Sequence, residues 1–91
     1  MRIRGFGWDE GNILHLELKH GITPREAEEV FARKPLFKAT KGGHYAAFGP
    51  TASGRLLVVV FAFTSDSHAR VITSWDMDKS ERRYYSKQTE R

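Results

Sequence analysis

The chain contains one stretch, Leu56 to Phe63, in which every residue is apolar. Side chains of a strand alternate between its two faces, so a strand is apolar throughout only where both faces are covered. The stretch therefore predicts a strand in the middle of a sheet. With 91 residues, the chain has room for one domain, spanning 1–91, and for one modest core.

Two helices are predicted ahead of this strand by the residues at their ends. Asp9 is a suitable N-cap for a first helix, which is expected to run to about His20. Thr23, followed by proline and by Glu26 three residues after the cap, predicts a second helix. This helix has to end before Pro35, because proline disfavours helical geometry in the preceding residue.

The remaining segments alternate between extended patterns and turn residues. Strands are expected at 2–8, 36–40, 44–49, 55–63 and 69–75, with glycine-rich turns at 42–43 and 49–54. Short turns join neighbouring strands, so the strands from 36 onward are predicted to pair antiparallel. Asp78 followed by Glu81 repeats the capping pattern and predicts a C-terminal helix over 79–88.

The composition excludes several kinds of site. There is no cysteine, which rules out disulfides, thiolate metal sites and a cysteine nucleophile. The histidines show no metal-ligand spacing, and His15 and His20 lie five residues apart, on different faces of an α-helix. No nucleotide-binding glycine motif is present, so no cofactor is expected. The N-terminus lacks the apolar core of a signal peptide, and no apolar run is long enough to cross a bilayer, which predicts a cytoplasmic protein.

The charge balance favours contact with phosphate without specifying it. Fifteen Lys and Arg against eleven Asp and Glu give a net charge of +4. Locally the excess is sharper, because Arg33, Lys34, Lys38 and Lys41 occur with no acidic residue among them. Such a cluster attracts nucleic acid, although it is equally typical of solvated charges beside a helix.

Several short segments stand in the order and spacing of the BrnT family, which this chain resembles over nearly its whole length. They are Trp8-Asp9-Glu10, Lys19-His20-Gly21-Ile22, Glu28-Glu29-Val30-Phe31, Gly54-Arg55-Leu56-Leu57-Val58-Val59, Arg70-Val71-Ile72 and Asp76-Met77 through to Tyr84. The resemblance implies a RelE-like α+β fold, with two N-terminal helices packed on a four- to five-stranded antiparallel sheet and a short C-terminal helix.

The same resemblance implies a function. BrnT-like proteins are ribonuclease toxins of type II toxin–antitoxin systems, so the expected activity is metal-independent endonucleolytic cleavage of messenger RNA. The expected partners are the RNA substrate and a BrnA-like ribbon-helix-helix antitoxin, with DNA contacted only through the antitoxin and no membrane involved. Two alternatives stay open: a non-catalytic module that engages the antitoxin without cutting RNA, and a purely structural domain of a larger assembly.

Candidate site residues follow from the required chemistry and from the matched motifs. Cleavage by the RNA 2′-hydroxyl needs groups that move protons and cations that stabilise the phosphorane, and bases can stack on aromatic rings. The candidates for catalysis are His20, His44, Arg55 and Arg70, and those for RNA binding are Lys19, Trp75, Arg82, Arg83 and Tyr84.

The chain departs from the family pattern in three places. Leu16 stands where the family usually has asparagine, and Ser74-Trp75 stands where it usually has Ala-Arg. The third is the segment Lys41 to Tyr45, which replaces a longer acidic loop.

Overall fold

The computed structural model describes residues 3–64 and 67–90, which form three α-helices and five strands. In chain order these are β1 (Gly5–Gly7), α1 (Glu10–His15), α2 (Pro24–Ala32), β2 (Leu36–Ala39), β3 (Tyr45–Pro50), β4 (Leu56–Phe63), β5 (His68–Asp76) and α3 (Lys79–Thr89). Helix α1 continues directly into a π-helical turn, Leu16–His20. Each predicted element is present within three residues of its expected ends, except that residue 2, the start of the first expected strand, lies outside the described residues.

The strands form one five-stranded sheet in the order β1-β5-β4-β3-β2, so the apolar strand β4 is central, as predicted. Strands β2 to β5 pair antiparallel through their short connections. The expected α+β fold is confirmed, with one difference: the sheet is mixed, because β1 runs parallel to β5. No tight turn links these two strands, which are far apart in the chain, so nothing forces them into a hairpin.

The two faces of β4 have different covers. On one face, alternate residues of β4 pack against the helices α1 and α2 in a fully buried cluster that includes Leu16, Ile22, Val30, Leu57, Val59 and Phe61. On the other face, Val58 belongs to a smaller cluster with Phe48 and Met77, against which Tyr84 and Tyr85 of α3 pack. Burial on both sides explains why no polar residue interrupts this strand.

All three predicted N-caps are confirmed. Asp9, Thr23 and Asp78 each accept a hydrogen bond from the backbone N–H three residues later, and the side chain at that position accepts from the cap's own N–H. Each capping box satisfies two backbone donors that would otherwise lack a partner at the helix start. The local sequence therefore sets where each helix begins.

The first helix ends at His20, as predicted, but its last turn is π-helical rather than α-helical. Gly21 then adopts the left-handed conformation with φ of 62°, and its N–H donates to the carbonyl of Glu17 at 3.1 Å. The N–H of Ile22 donates to the carbonyl of Leu16, also at 3.1 Å. Glycine is the residue that takes this backbone geometry without a steric cost.

Asn12 joins α1 to the sheet. Its amide nitrogen donates to the carbonyl of Gly7 at 3.0 Å and to the carbonyl of Val71 at 3.1 Å, and its side chain is almost fully buried. Asn12 is also the third residue of α1, and its side chain completes the first capping box. One amide thus satisfies the end of β1, the edge of β5 and the start of α1 together.

We predict that Asn12→Asp destabilises the protein by about 2–4 kcal/mol, because it keeps the capping oxygen but removes both amide donations and buries a charge. The free energy of unfolding from urea titration at pH 7 measures the loss. Glu10→Gln, an exposed change in the same turn, is expected to cost only about 0.5 kcal/mol through the helix dipole. Equal stability of the two variants would contradict the bridging role of Asn12.

Candidate functional site

The second face of the sheet is only partly covered, and an open groove of about 550 Å³ lies beside α3. Apolar residues of β3 and β4 form its middle, among them Ala46 and Val60. Charged residues stand around them, with Lys38 and Lys41 on one side and Glu81 at the α3 end. Hence the groove combines an apolar surface with flanking cations, which suits a nucleic-acid strand with stacked bases.

Trp75 and Glu81 form the end of this groove that lies against α3. The indole N–H of Trp75 lies 3.0 Å from both carboxylate oxygens of Glu81. One of those oxygens also accepts from the backbone N–H of Asp78 at 3.0 Å. Because the capping box orients Glu81, it also fixes the indole ring at the groove.

The lysines of the groove keep their charge available. Lys38 places its Nζ 4.9 Å from the centroid of the Tyr84 ring, a cation–π arrangement. Tyr84 is in turn held by Phe48, with ring centroids 5.4 Å apart. Within 3–64 and 67–90, neither Lys38 nor Lys41 takes part in an ion pair. Both cations are therefore open to an anionic ligand.

Among the described residues, β1 pairs with β5 only as far as Arg70, so the rest of β5 forms an open edge of the sheet. At this edge, two histidines contact one hydroxyl group. The Nε2 atom of His15 lies 3.0 Å from Thr73 Oγ1, and the Nε2 atom of His20 lies 3.4 Å from the same oxygen. The two rings pack edge to face with centroids 5.5 Å apart. The expectation that His15 and His20 lie on different helical faces is wrong, because the π-helical turn widens the helix between them.

The strand register connects this histidine pair to the groove. Thr73 pairs with Val60, Val60 with Ala46, and Ala46 with Lys38, so one row crosses four strands. Three strand spacings of about 4.8 Å each give a row of about 14 Å from the hydroxyl to the lysine backbone. Trp75, two residues after Thr73, belongs to the same strand face, and its partner Val58 also lines the groove. The row therefore runs from imidazoles at one edge to a cation at the other.

Arg55 does not face this groove with a free guanidinium. It makes two bonds to Asp76, at 2.7 and 2.8 Å, and an ion pair with Glu26 at 3.2 Å. It also donates to the backbone carbonyls of His20, at 3.3 Å, and Gly21, at 3.0 Å. These contacts tie β4 and β5 to the end of the π-helical turn and leave two carboxylates around one cation.

The electrostatics of this cluster follow from those bonds. Hydrogen bonding from Arg55 lowers the pKa of Asp76, and the Thr23 N–H followed by Arg55 lowers the pKa of Glu26. The pKa of Arg55 is raised, chiefly by its hydrogen bonds to Asp76. All three groups are therefore charged at neutral pH. The cluster stabilises the fold by joining the segments that carry them.

The other predicted site residues are distributed over the molecule. Arg70 forms an ion pair of 2.6 Å with Asp9, which lowers the pKa of that carboxyl. Arg82 donates to the carbonyl of Met77 at 2.7 Å and so anchors the start of α3. His44 precedes β3, where its carbonyl accepts from Thr40 at 2.9 Å. Lys19 and Arg83 are exposed.

Among the predicted residues, the groove and its edge bring together His20, Trp75 and Tyr84, whereas Arg55 and Arg70 are held by carboxylates elsewhere. Sequence reasoning missed His15, Thr73 and Glu81. Only Glu81 had a sequence signal, as a capping residue, since the meeting of His15 with Thr73 depends on the π-helical turn. Lys38 and Lys41 were noted only as part of a basic cluster.

A second hollow, of about 660 Å³, lies on the other side of the sheet, between α2 and the edge strands. It is lined largely by aromatic and aliphatic residues, including Phe6, Phe31 and Phe37. Its one carboxylate, Glu28, accepts from the indole of Trp8 at 2.6 Å. The larger hollow thus has a single cation, Lys34, among its lining residues and no histidine.

The described ranges hold neither a membrane-crossing helix nor a cluster of metal ligands. None of their helices has both the length and the apolar character that crossing a bilayer requires. Nor do three or more histidine, aspartate or glutamate side chains gather there in an arrangement that suits a metal ion.

A family model described as the ribonuclease toxin BrnT of type II toxin–antitoxin systems matches residues 8–81. The chain belongs to the BrnT toxin family. The crystal structure of the Brucella abortus ribonuclease toxin BrnT, at 1.1 Å resolution, superposes with a TM-score of 0.69 at 19% sequence identity. The match covers 82% of this chain and 97% of the Brucella chain, and it shows a shared fold. No curated protein sequence matches.

We predict that Arg55→Gln lowers the free energy of unfolding at pH 7 by about 1–2 kcal/mol, an amount reduced by the partial exposure of its partners. Folded-state pKa values below the unfolded value of about 4 stabilise the protein above that pH, and this contribution is lost as the pH falls through them. Stability of the variant should therefore fall less steeply below about pH 5 than that of the wild type.

Urea titrations between pH 7 and pH 3 measure both effects. Arg25→Gln is the matched control, because Arg25 pairs with Glu29 while 89% of its side chain is exposed. An Arg55 variant with the same stability and the same pH slope as the Arg25 variant would show that the cluster contributes nothing to folding.

Proposed function

We propose that this protein is the toxin of a type II toxin–antitoxin pair and that it cleaves messenger RNA without a metal ion, in the groove of the sheet. The observation that carries the proposal is the row from the His15–Thr73–His20 edge to Lys38. Membership of the BrnT family supplies the reaction class, and the row supplies groups suited to it.

Cleavage by the 2′-hydroxyl needs an oriented strand, a proton acceptor, a proton donor and cations for the phosphorane. Imidazole is the side chain that both takes and gives protons near neutral pH, and the His20 ring contacts Thr73, which belongs to the strand row that crosses the groove. Lys38 and Lys41 supply positive charge on the opposite side, and the Trp75 ring offers a surface for one base. These side chains are the candidates for the four requirements.

The partner of this toxin is proposed to be a BrnA-like ribbon-helix-helix antitoxin. Family membership implies that an antitoxin exists, and inhibition of a toxin requires that the partner cover the active surface or hold it in an unproductive state. DNA would then be contacted through the antitoxin alone. Both proteins would act in the cytoplasm, where messenger RNA is translated.

The second candidate is a binding module that engages the antitoxin without cutting RNA. Two observations favour it: Arg55 and Arg70 are both engaged by carboxylates, so neither offers a free guanidinium to a phosphorane. In that case RNA or the partner would still bind at the groove, but no cleavage would follow. Turnover therefore separates the two functions.

We predict that the purified protein cleaves single-stranded RNA in the presence of EDTA and that Lys38→Gln and Lys41→Gln weaken RNA binding. Loss of one phosphate contact should lower the slope of log Kd against log salt by about 0.7 for single-stranded RNA. Fluorescence anisotropy with 2′-O-methyl RNA at several salt concentrations measures this, because that RNA is not cleaved.

Lys87→Gln, which removes an exposed charge near the end of α3, is the control for net charge alone. Slopes that are equal in the Lys38, Lys41 and Lys87 variants would remove the groove from the proposal. RNA that binds the groove and stays intact would leave the binding module as the function.

A further inference from the structure

We infer that His15 and His20 are the two proton-transfer groups of the nuclease and that the Thr73 hydroxyl assigns them opposite roles. The inference rests on the proposed function and deepens it, since it names the pair of side chains that act on the scissile phosphodiester. It depends on the shared contact with Thr73 Oγ1, at 3.0 Å from His15 and 3.4 Å from His20.

The π-helical turn creates this pair. Five residues in an α-helix span about 500°, which leaves the two side chains about 140° apart around the axis. A π-helical turn closes its hydrogen bonds one residue later, so residues five apart are brought onto one side. The rings of His15 and His20 accordingly meet with centroids 5.5 Å apart. Such π-helical insertions are frequent at functional sites.

The structure also shows what holds the turn in place. At its start, Leu16 is fully buried in the core between the helices and the sheet. At its end, Arg55 bonds the carbonyls of His20 and Gly21 while it is held by Asp76. The two imidazoles are therefore carried by a segment that is fixed at both ends.

One hydroxyl between two ring nitrogens allows an asymmetric arrangement. A threonine hydroxyl has one proton to donate and two lone pairs, so it can donate to one Nε2 atom while it accepts from the other. The imidazole that donates its Nε2 proton to Thr73 keeps a free lone pair on Nδ1, as a base requires, and the imidazole that accepts the hydroxyl proton carries its own proton on Nδ1, as an acid requires. The contact thus prepares one acceptor and one donor before RNA arrives.

The reaction balances without any further reactant. The basic imidazole takes the proton of the 2′-hydroxyl while the 2′-oxygen forms a bond to phosphorus. The bond from phosphorus to the 5′-oxygen breaks, and the acidic imidazole gives its proton to that oxygen. The products are a 2′,3′-cyclic phosphate and a 5′-hydroxyl end. As the base gains a proton on Nδ1, it passes its Nε2 proton to the Thr73 hydroxyl, which passes its own proton to Nε2 of the acid, so both imidazoles stay neutral and have exchanged tautomers.

The other titratable groups near the groove are less suited to this task. Glu81 is committed to the Trp75 indole and to the backbone N–H groups of the α3 capping box. His44 lies just before β3, where its main-chain carbonyl accepts from the N–H of Thr40 in the turn between β2 and β3. The pair at Thr73 offers two titratable nitrogens at one point.

The test uses the full chain with His15→Gln, His20→Gln and Thr73→Val, and Glu17→Gln as the control in the same turn. Each histidine variant is expected to lower kcat about 10²–10⁴-fold with little change in KM, since proton transfer is lost and RNA binding is kept. The double histidine variant should be little worse than either single one, because the pair acts as a unit. Glu17→Gln should cleave as the wild type does, because Glu17 is exposed.

Thermal unfolding of each variant identifies those that fail to fold. Thr73→Val removes the shared hydroxyl and leaves both imidazoles in place.

A second readout does not need turnover: ¹⁵N resonances of the His15 and His20 rings should both shift when 2′-O-methyl RNA binds. Products are identified by whether the new end is a 2′,3′-cyclic phosphate.

The outcomes separate the two proposals. If the wild type cuts RNA and a folded His15 or His20 variant cuts equally well, the histidine assignment is overturned and the nuclease function stands. If bound 2′-O-methyl RNA leaves both ring resonances unchanged, the assignment is overturned whatever the turnover. If the wild type binds RNA, shifts both rings and never cuts, the nuclease function is overturned, and with it the catalytic role of the pair.

Discussion

The burial of β4 on both faces is the constraint on which the rest of this structure depends. An apolar strand of eight residues has to be covered twice, and a chain of 91 residues has few elements with which to do it. The helices α1 and α2 cover one face, and α3, with 11 residues and a length of about 16 Å, covers only part of the other. The part of this face that α3 leaves uncovered is the groove. Its position therefore follows from the short length of α3.

The Arg55 cluster shows how a single cation can serve a site without touching a ligand. Its guanidinium contacts Asp76 of β5, Glu26 in the capping box of α2 and the carbonyls at the end of the π-helical turn. Those carbonyls are where the helix dipole is negative and where backbone acceptors lack helical partners. Arg55 satisfies these carbonyls by hydrogen bonding. Its effect on the candidate site is therefore indirect, because it holds the backbone of His20, whose ring contacts Thr73.

Much of the fold was predictable because its signals are local. Asp9, Thr23 and Asp78 each determine a helix start through atoms within three residues, and the apolar run of β4 specifies a central strand by itself. The parallel pairing of β1 with β5 was not predictable in this way, since no nearby turn encodes it. It joins segments far apart in the chain, and Asn12 of α1 hydrogen-bonds to both strands.

The candidate site was predictable only in part, because its geometry depends on contacts between distant segments. Arginines next to an apolar strand look like phosphate ligands in a sequence, but Arg55 and Arg70 meet Asp76, Glu26 and Asp9 when the chain folds. His15 was missed because helical spacing assumed an α-helix throughout. The π-helical turn, which begins at buried Leu16 and whose end is bonded by Arg55, changes which side chains share a face of the helix.

The departures from the family pattern acquire a physical meaning from their positions. Leu16, at a position where the resemblance led us to expect asparagine, is fully buried, so the apolar side chain adds to the core beneath the π-helical turn. Trp75, at a position where we expected arginine, faces the groove, where Lys38 and Lys41 already supply positive charge. If RNA binds in the groove as proposed, an indole at this position would favour contact with a base, and the lysines would supply the attraction for phosphate.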